Sequence, residues 1–145
     1  MAEHPLPLHL KPISVAVVGL GGAVGTGLRA AVTRAGSAHL ATPYVTLVIN
    51  LVGAFLLGVL LESLARRGPD RGRRQRLRLL LGTGVLGGFT TYSSLAVDVA
   101  TLGGRGQLGA AALVALGTLM LGAVATTLGI LAGSRRASSE VEGVG

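Results

Sequence analysis

Four long apolar stretches, separated by clusters of charge, constrain this chain more than any other feature. The hydrocarbon core of a bilayer takes about 20 residues of helix to cross. Only 13% of the 145 residues are charged, and the mean hydropathy is +0.66, whereas soluble domains carry about 25% charged residues. We predict an all-α membrane protein, one domain over 1–145, with transmembrane helices at roughly 13–36, 44–65, 77–102 and 108–133, a basic loop at 66–76 and a polar tail at 134–145.

The positive charge is unevenly shared between the two sides that four spans define. Ten of the thirteen Lys and Arg residues lie before the first span, in or next to the basic loop, or after the fourth span. Because Lys and Arg are retained on the cytoplasmic side, we predict a multi-pass protein of the bacterial inner or plasma membrane with both termini in the cytoplasm. The Arg cluster lacks the aromatic side chains of a nucleic-acid site, so its partner is the lipid bilayer and we predict no nucleic acid.

The third stretch contains a segment that is poor at forming helix, GTGVLGGFTTYSSLAVD at 82–98, in which four glycines precede a run of hydroxyl side chains. We predict that the third helix is broken at mid-membrane, where protein or a water-filled cavity must satisfy the exposed backbone. Small residues spaced by four also favour close helix packing, and both interpretations can hold together. Three pairs have this spacing: Gly21 and Gly25, Gly84 and Gly88, and Gly129 and Gly133.

Three polar side chains within the stretches need a partner or a cavity. Asn50 lies midway along the second stretch, where its amide either bonds across a helix interface or faces a pore. Arg29 near the end of the first stretch either snorkels to the interface or contacts a ligand. Asp98, near the end of the third stretch, is either interfacial or a further candidate site residue. The residues alone leave these alternatives open.

Composition excludes several kinds of chemistry. The chain has no Cys, so it forms no disulfide and offers no thiolate. Its three His residues lie outside the predicted spans, with no carboxylate neighbours in register and no candidate nucleophile beside them, so neither a hydrolytic triad nor a metal cluster is expected. The glycine run at 19–27 fails the dinucleotide fingerprint because Val24 takes its last position. We predict that the chain is not an enzyme.

Four segments resemble the CrcB/Fluc family of bacterial fluoride channels, and together they cover nearly the whole chain. GGAVGTGLR resembles the family's Gly-rich run ending in Arg, and TLVINLVGAFLLG resembles its Gly-Thr-Leu-x-x-Asn-x-x-Gly-x-Phe span. TGVLGGFTTYSS resembles the family's Thr-Gly-x-x-Gly-Gly-x-Thr-Thr-Phe-Ser-Thr-Phe break. Of the four segments, this one is specific for the family. The fourth stretch offers Thr118, Gly122 and Gly129 at compatible spacing.

The resemblance implies a passive channel that exports fluoride and lowers its toxicity, built as an antiparallel dimer around one structural sodium ion. It implies that backbone carbonyls of Gly87 and Thr90 hold this sodium ion, which is not transported. A small, strongly hydrated anion needs closely placed amide and hydroxyl donors in place of its water. The residues that the resemblance implies for this fluoride path are Asn50, Thr91, Tyr92, Ser93, Ser94 and Thr118.

Four positions depart from the family pattern, and one of them is Val114, which replaces a Tyr often found early in the fourth span. The two phenylalanines of the family fall on Tyr92 and Leu95, and Leu95 lacks the electropositive aromatic edge that faces an anion. The family's Glu falls on Asp98, which keeps the charge and shortens its reach. These departures leave open whether one or two tracks of a dimer conduct.

The charge bias bears on the identity of the partner. An antiparallel homodimer requires one sequence to insert in both orientations, which the split of ten to three opposes. We therefore hypothesise a heterodimer with a homologous subunit of opposite bias. Two alternative functions stay open: a non-conducting subunit of a heterodimeric fluoride channel, and a small multidrug-type exchanger, although the first stretch lacks the Glu expected of an exchanger.

Overall fold

The chain folds into helices joined by short connections. The computed structural model describes residues 11–40 and 42–142, and within this part every regular element is helical. Four helical stretches are long and apolar enough to cross a membrane: Pro12–Gly36, Pro43–Arg66, Arg73–Gly104 and Leu108–Arg135. The prediction of an all-α protein with four membrane-spanning helices is confirmed.

The helices are, in chain order, α1 (Pro12–Gly36), α2 (Thr42–Arg66), α3 (Arg73–Leu77), α4 (Gly87–Phe89), α5 (Ser93–Gly104) and α6 (Leu108–Glu142). A π-helical segment, Arg78–Leu86, joins α3 to α4, and we call the whole of Arg73–Gly104 the third span. α6 continues past 133 because neither Gly nor Pro interrupts the polar segment between Arg135 and Glu142. Residues 143–145 of the predicted tail lie outside the described part of the chain.

α1 packs against the third span through glycines. A Cβ atom placed on Gly25 would overlap the carbonyl of Val85, and one on Gly88 would overlap the backbone of α1. Gly21 and Gly84 meet in the same way. Successive contacts advance along both helices in the same direction, so α1 and the third span run parallel. The helices approach this closely only because side chains are absent, which confirms the predicted packing role of these small residues.

α2 and α6 form a second pair with the same construction. A Cβ on Gly58 would meet the carbonyl of Thr126, and a Cβ on Gly129 would overlap the carbonyl of Phe55. Gly133 lies against Val59 one turn further along. The bundle is therefore built from two glycine-mediated helix pairs.

Most large apolar side chains lie on the outside of the bundle. Among the described residues, the buried apolar side chains are those of Val45, Ile49 and Ala111. By contrast, Leu20 is 69% exposed and Leu113 is 75% exposed. An apolar exterior of this kind suits hydrocarbon or another subunit, because a contiguous apolar surface in water favours association.

We expect Gly25→Ala to destabilise the protein by about 1–3 kcal/mol or more, because its methyl group would overlap the Val85 carbonyl. Gly27→Ala is the matched control, since a Cβ there meets no atom within 4 Å, and replacing a helical glycine by alanine gains up to about 1 kcal/mol. Thermal unfolding in detergent, followed by size-exclusion chromatography, measures both. Equal midpoints for the two variants would contradict the packing described here.

Candidate functional site

The third span is interrupted at Thr90–Tyr92, where the backbone leaves the helical conformation. Thr90 has φ −79° and ψ 160°, which is extended, and helix resumes with α5 at Ser93. Upstream, the glycine-rich π-helical segment ends with the amide of Gly87 donating to the carbonyl of Gly82, five residues earlier. Single π turns inside helices are frequent at functional sites. The predicted break in the third helix is confirmed, and it lies within the segment 82–98 that the sequence singled out.

Asn50 pairs with the backbone of the break through both ends of its side-chain amide. Its Nδ2 donates to the carbonyl of Thr91 at 2.8 Å, and its Oδ1 accepts from the amide of Thr91 at 2.8 Å. Both backbone groups of the non-helical residue are thus satisfied by one side chain from α2. Of the two alternatives for Asn50, the bond across a helix interface is observed.

Arg29 and Thr26 of α1 support the other side of the break. The Arg29 Nε donates to the carbonyl of Gly88 at 3.3 Å, and the Thr26 hydroxyl donates to the same oxygen at 3.4 Å. The half-buried Arg29 therefore places a positive charge beside the last carbonyls of α4. Neither snorkelling nor a ligand contact, the two alternatives considered for Arg29, describes this bond. The sequence interpretation missed Thr26, whose signal was its position three residues before Arg29 on the same helix face.

Several backbone carbonyl oxygens at the break accept no hydrogen bond within the described residues. The Leu86 carbonyl accepts from both the amide and the hydroxyl of Thr90. Within the described residues, no donor bonds the carbonyl of Gly87 or that of Thr90. Neutral carbonyl oxygens are suitable ligands for a hard monovalent cation. The carbonyls of Gly87 and Thr90 are therefore available as ligands, and the sodium site at these residues stays a prediction.

Two clefts meet along one wall made of Asn50, Leu95 and Thr118. One cleft, of about 370 Å³, extends from this wall towards Pro43 and Asp98. The other, of about 550 Å³, extends from the same wall towards Gly87 and Thr90 in the break. The shared wall brings together side chains from α2, α5 and α6. Asn50 and Thr118 are the polar residues that border both clefts.

The other predicted path residues divide between the clefts. Thr91 and Tyr92 line the 550 Å³ cleft, and Tyr92 is 76% exposed. Ser93 and Ser94 instead line an outer cleft of about 330 Å³ that also contains Asp98. The two regions are joined by a hydrogen bond of 2.7 Å between the hydroxyls of Thr91 and Ser93. The hydroxyl-bearing residues therefore extend from Thr91 at the break to Ser93 and Ser94 in the cleft that contains Asp98.

Sequence reasoning did not single out two further hydroxyl residues in these clefts. Thr46 is buried and lines the outer cleft, four residues before Asn50 on the same face of α2. Thr126 lines the 550 Å³ cleft, with its hydroxyl donating to the carbonyl of Gly122 at 2.9 Å. Helical spacing from Asn50 was a signal for Thr46. Thr126 had no comparable signal, because its place depends on the packing of α6 against α2.

Comparison with known proteins identifies the family. The family model described as CrcB-like protein, Camphor Resistance (CrcB), matches residues 16–130, which include the break and every side chain bonded to it. The chain belongs to the CrcB family. The resemblance stated from the residues is therefore confirmed over most of the chain.

Three CrcB relatives share a channel name. "Fluoride-specific ion channel FluC 2" of Leifsonia xyli subsp. xyli is 49% identical over 128 residues, which cover 88% of each chain. "Fluoride-specific ion channel FluC" of Agrobacterium fabrum is 42% identical over 83% of this chain and 96% of its own. The protein of the same name from Novosphingobium aromaticivorans is 41% identical over 81% of this chain and 93% of its own. The CrcB chain described here is accordingly a multi-pass membrane protein and not an enzyme.

We expect Asn50→Leu to loosen the break while the helices still form, because the Thr91 amide and carbonyl would lose their partner. A buried polar group left unpaired costs about 1–3 kcal/mol, so amide exchange around Thr91 should accelerate by about fivefold to a hundredfold. Hydrogen–deuterium exchange mass spectrometry measures this. The control is Thr118→Val, which alters the same wall and forms no hydrogen bond to the break within the described chain. Unchanged exchange at 90–92 in Asn50→Leu would refute the role of this pairing.

Proposed function

We propose that this CrcB protein is a fluoride-specific channel through which the anion moves passively. Three relatives that carry this name each align with four fifths or more of the chain. The observation that assigns the proposal to particular residues is the wall shared by the two clefts. The two polar side chains of this wall are the amide of Asn50 and the hydroxyl of Thr118. Leu95 completes that wall with an apolar side chain.

The donors on this wall suit a small anion. A side-chain amide has two N–H groups, and in Asn50 one of them bonds the Thr91 carbonyl. The second N–H and the Thr118 hydroxyl then offer hydrogen bonds to an ion between the clefts. Fluoride binds its water strongly, so a path must replace that water with closely placed donors. Thr91, Ser93 and Ser94 extend the row of hydroxyls on one side, and Tyr92 adds its own at the break.

The direction of transport follows from acid–base chemistry and the membrane potential. HF enters a cell from an acidic medium and dissociates in the less acidic cytoplasm. A potential that is negative inside moves an anion outwards by about 2.3 kcal/mol per 100 mV. An open path for fluoride therefore exports it without ATP and lowers its toxicity.

A sodium ion at the break is the second part of the proposal. The carbonyls of Gly87 and Thr90 have no donor within the described chain, and they would bind the ion together with the same atoms of a second subunit. The charge of the ion would favour an anion nearby, since a bound cation is a strong local charge. The ion would stay in place as part of the structure.

The partner in this proposal is a homologous subunit in antiparallel orientation. The split of ten to three in Lys and Arg favours one orientation for this chain, so a heterodimer with a subunit of opposite bias is the arrangement we propose in the cell membrane. The heterodimer would keep one competent fluoride track, because Leu95 lacks the aromatic ring of the family pattern. A multidrug-type exchanger is less suited to this chain, since α1 carries no acidic residue.

We expect liposomes that contain this chain together with a homologous subunit of opposite charge bias to release fluoride much faster than chloride. Robust, sodium-dependent fluoride efflux from this chain alone would contradict the heterodimer. Thr118→Val should slow fluoride efflux by about tenfold to a hundredfold, because a hydrogen bond to a charged group contributes about 1.5–3 kcal/mol. Ion-selective electrodes measure both anions. Replacing sodium with N-methylglucamine throughout should abolish fluoride efflux if the structural cation is required.

The matched control for this assay is Thr127→Val on the same helix, whose exposed hydroxyl donates to the carbonyl of Ala123. Its efflux should equal that of the unchanged chain. Equal rates for fluoride and chloride would refute fluoride selectivity. Equal efflux from the two threonine variants would instead remove Thr118 from the path and leave selectivity intact.

We expect the chain to insert in a single orientation in cells. Because it has no Cys, a single introduced thiol reports on one loop: Arg71→Cys in the basic loop or Arg105→Cys in the turn between α5 and α6. A membrane-impermeant maleimide applied to intact cells should label the thiol at 105 and spare the one at 71. Labelling of about half of each variant would show dual orientation and contradict the heterodimer.

A further inference from the structure

A small cleft opens between the start of α1 and the start of the third span, on the same side of the bundle as the basic loop. Its volume is about 190 Å³. It lies at the far end of the third span from the α5–α6 turn and shares no residue with the clefts that contain Asn50. The residues that line it include Lys11, Ser14, Val17, Gln75, Arg76 and Leu79.

Two cations line this cleft without a carboxylate to neutralise them. Lys11 and Arg76 form no ion pair within the described residues. Within the described residues, the acidic side chains nearest in sequence to Arg76 are engaged elsewhere: Asp70 pairs with Arg78 at 2.7 Å, and Glu62 pairs with Arg66. The cleft therefore presents a net positive charge to whatever occupies it.

A hydroxyl-bearing residue that is largely buried, Ser14, lines the cleft together with these cations. Ser14 is only 9% exposed, and its side chain forms no hydrogen bond within the described part of the chain. Since the cleft is lined by Ser14, the hydroxyl is a donor for a ligand there. The residue lies in the first turn of α1, where the helix dipole favours an anion. A cation pair, the unpartnered hydroxyl of the largely buried Ser14 and a helix N-terminus together point to a phosphate-like group.

The positions of the lining residues along the two helices indicate whether the phosphate belongs to a lipid or is a free ion. The polar residues Lys11, Gln75 and Arg76 lie at the starts of the two parallel helices, whereas Val17 and Leu79 lie about one turn deeper. A charged group at the helix ends with apolar surface below it matches a phospholipid, whose phosphate lies at the interface and whose acyl chains extend into the membrane. A free phosphate ion would gain nothing from the apolar part.

We propose that this cleft binds an anionic phospholipid, with the phosphate held by Lys11, Arg76 and Ser14 and an acyl chain lying along Val17 and Leu79. Juxtamembrane cations are attracted to anionic lipids by about 1 kcal/mol each. The bound lipid would join the first turn of α1 to the start of the third span, which are the elements that position Arg29 and the break further along. The inference requires only that the chain spans a membrane and does not depend on the ion that it conducts.

Native mass spectrometry of the detergent-solubilised protein tests this inference, with phosphatidylglycerol and phosphatidylcholine of equal chain length added in equal amounts. We expect bound phosphatidylglycerol to exceed phosphatidylcholine. The double variant Lys11→Gln, Arg76→Gln should reduce that preference by about fivefold per cation, or about thirtyfold in total. The conservative double variant Lys11→Arg, Arg76→Lys should retain it, which guards against a loss of folding as the explanation.

Two further arms distinguish the alternatives. Arg71→Gln, Arg73→Gln removes the same charge from exposed positions of the basic loop outside the cleft, and it should leave the preference unchanged. An equal loss in this control would reduce the effect to general electrostatic attraction and overturn the site. Displacement of the lipid by millimolar inorganic phosphate would identify the cleft as a free-phosphate site and overturn the lipid assignment, as would an absence of preference in the unchanged protein.

Discussion

Backbone groups that leave a helix inside a membrane must find their partners within the protein, and the architecture of this chain depends on how they do so. Thr91 has both backbone groups paired with the Asn50 side chain. The Gly88 carbonyl accepts from Thr26 and Arg29 of α1. Because no lipid can replace these partners, the break has a fixed geometry, with a helix end on either side of it. A kink without such partners would not keep the two clefts in a fixed position on either side of Asn50.

The glycine interfaces place these partners where the break needs them. α1 can bring Arg29 to the Gly88 carbonyl only because Gly25 allows the helix to lie against the carbonyl of Val85. Larger side chains at such positions would separate the backbones and move the guanidinium out of reach. The glycines therefore serve packing and, through packing, the satisfaction of the break. This is why both interpretations of the glycine pattern hold at once.

Sequence reasoning found the break and the residues around it, and it was less complete about their bonding. Asn50 stood out because an amide in an apolar stretch demands a partner, yet the choice between an interface bond and a pore was left open. The structure shows the bond, and it also places Asn50 on the wall of two clefts. Arg29 was assigned to an interface or a ligand because its nearest neighbours along the chain give no hint of Gly88. Thr26 and Thr46 were passed over because hydroxyls are common in such stretches.

The sequence by itself determined that there are four spans, that the third is interrupted, and that positive charge is concentrated on one side. Each of these depends on local composition: the apolar length of a stretch, the helix propensity of a glycine-rich segment, and the residues of a loop. Only the tertiary structure decided which backbone group each polar side chain satisfies. The bonds of Asn50 and Arg29 join residues 41 and 59 positions apart, and their partners follow from the register between packed helices. That register is set by where glycines let two backbones touch, a property of pairs of helices rather than of any one segment.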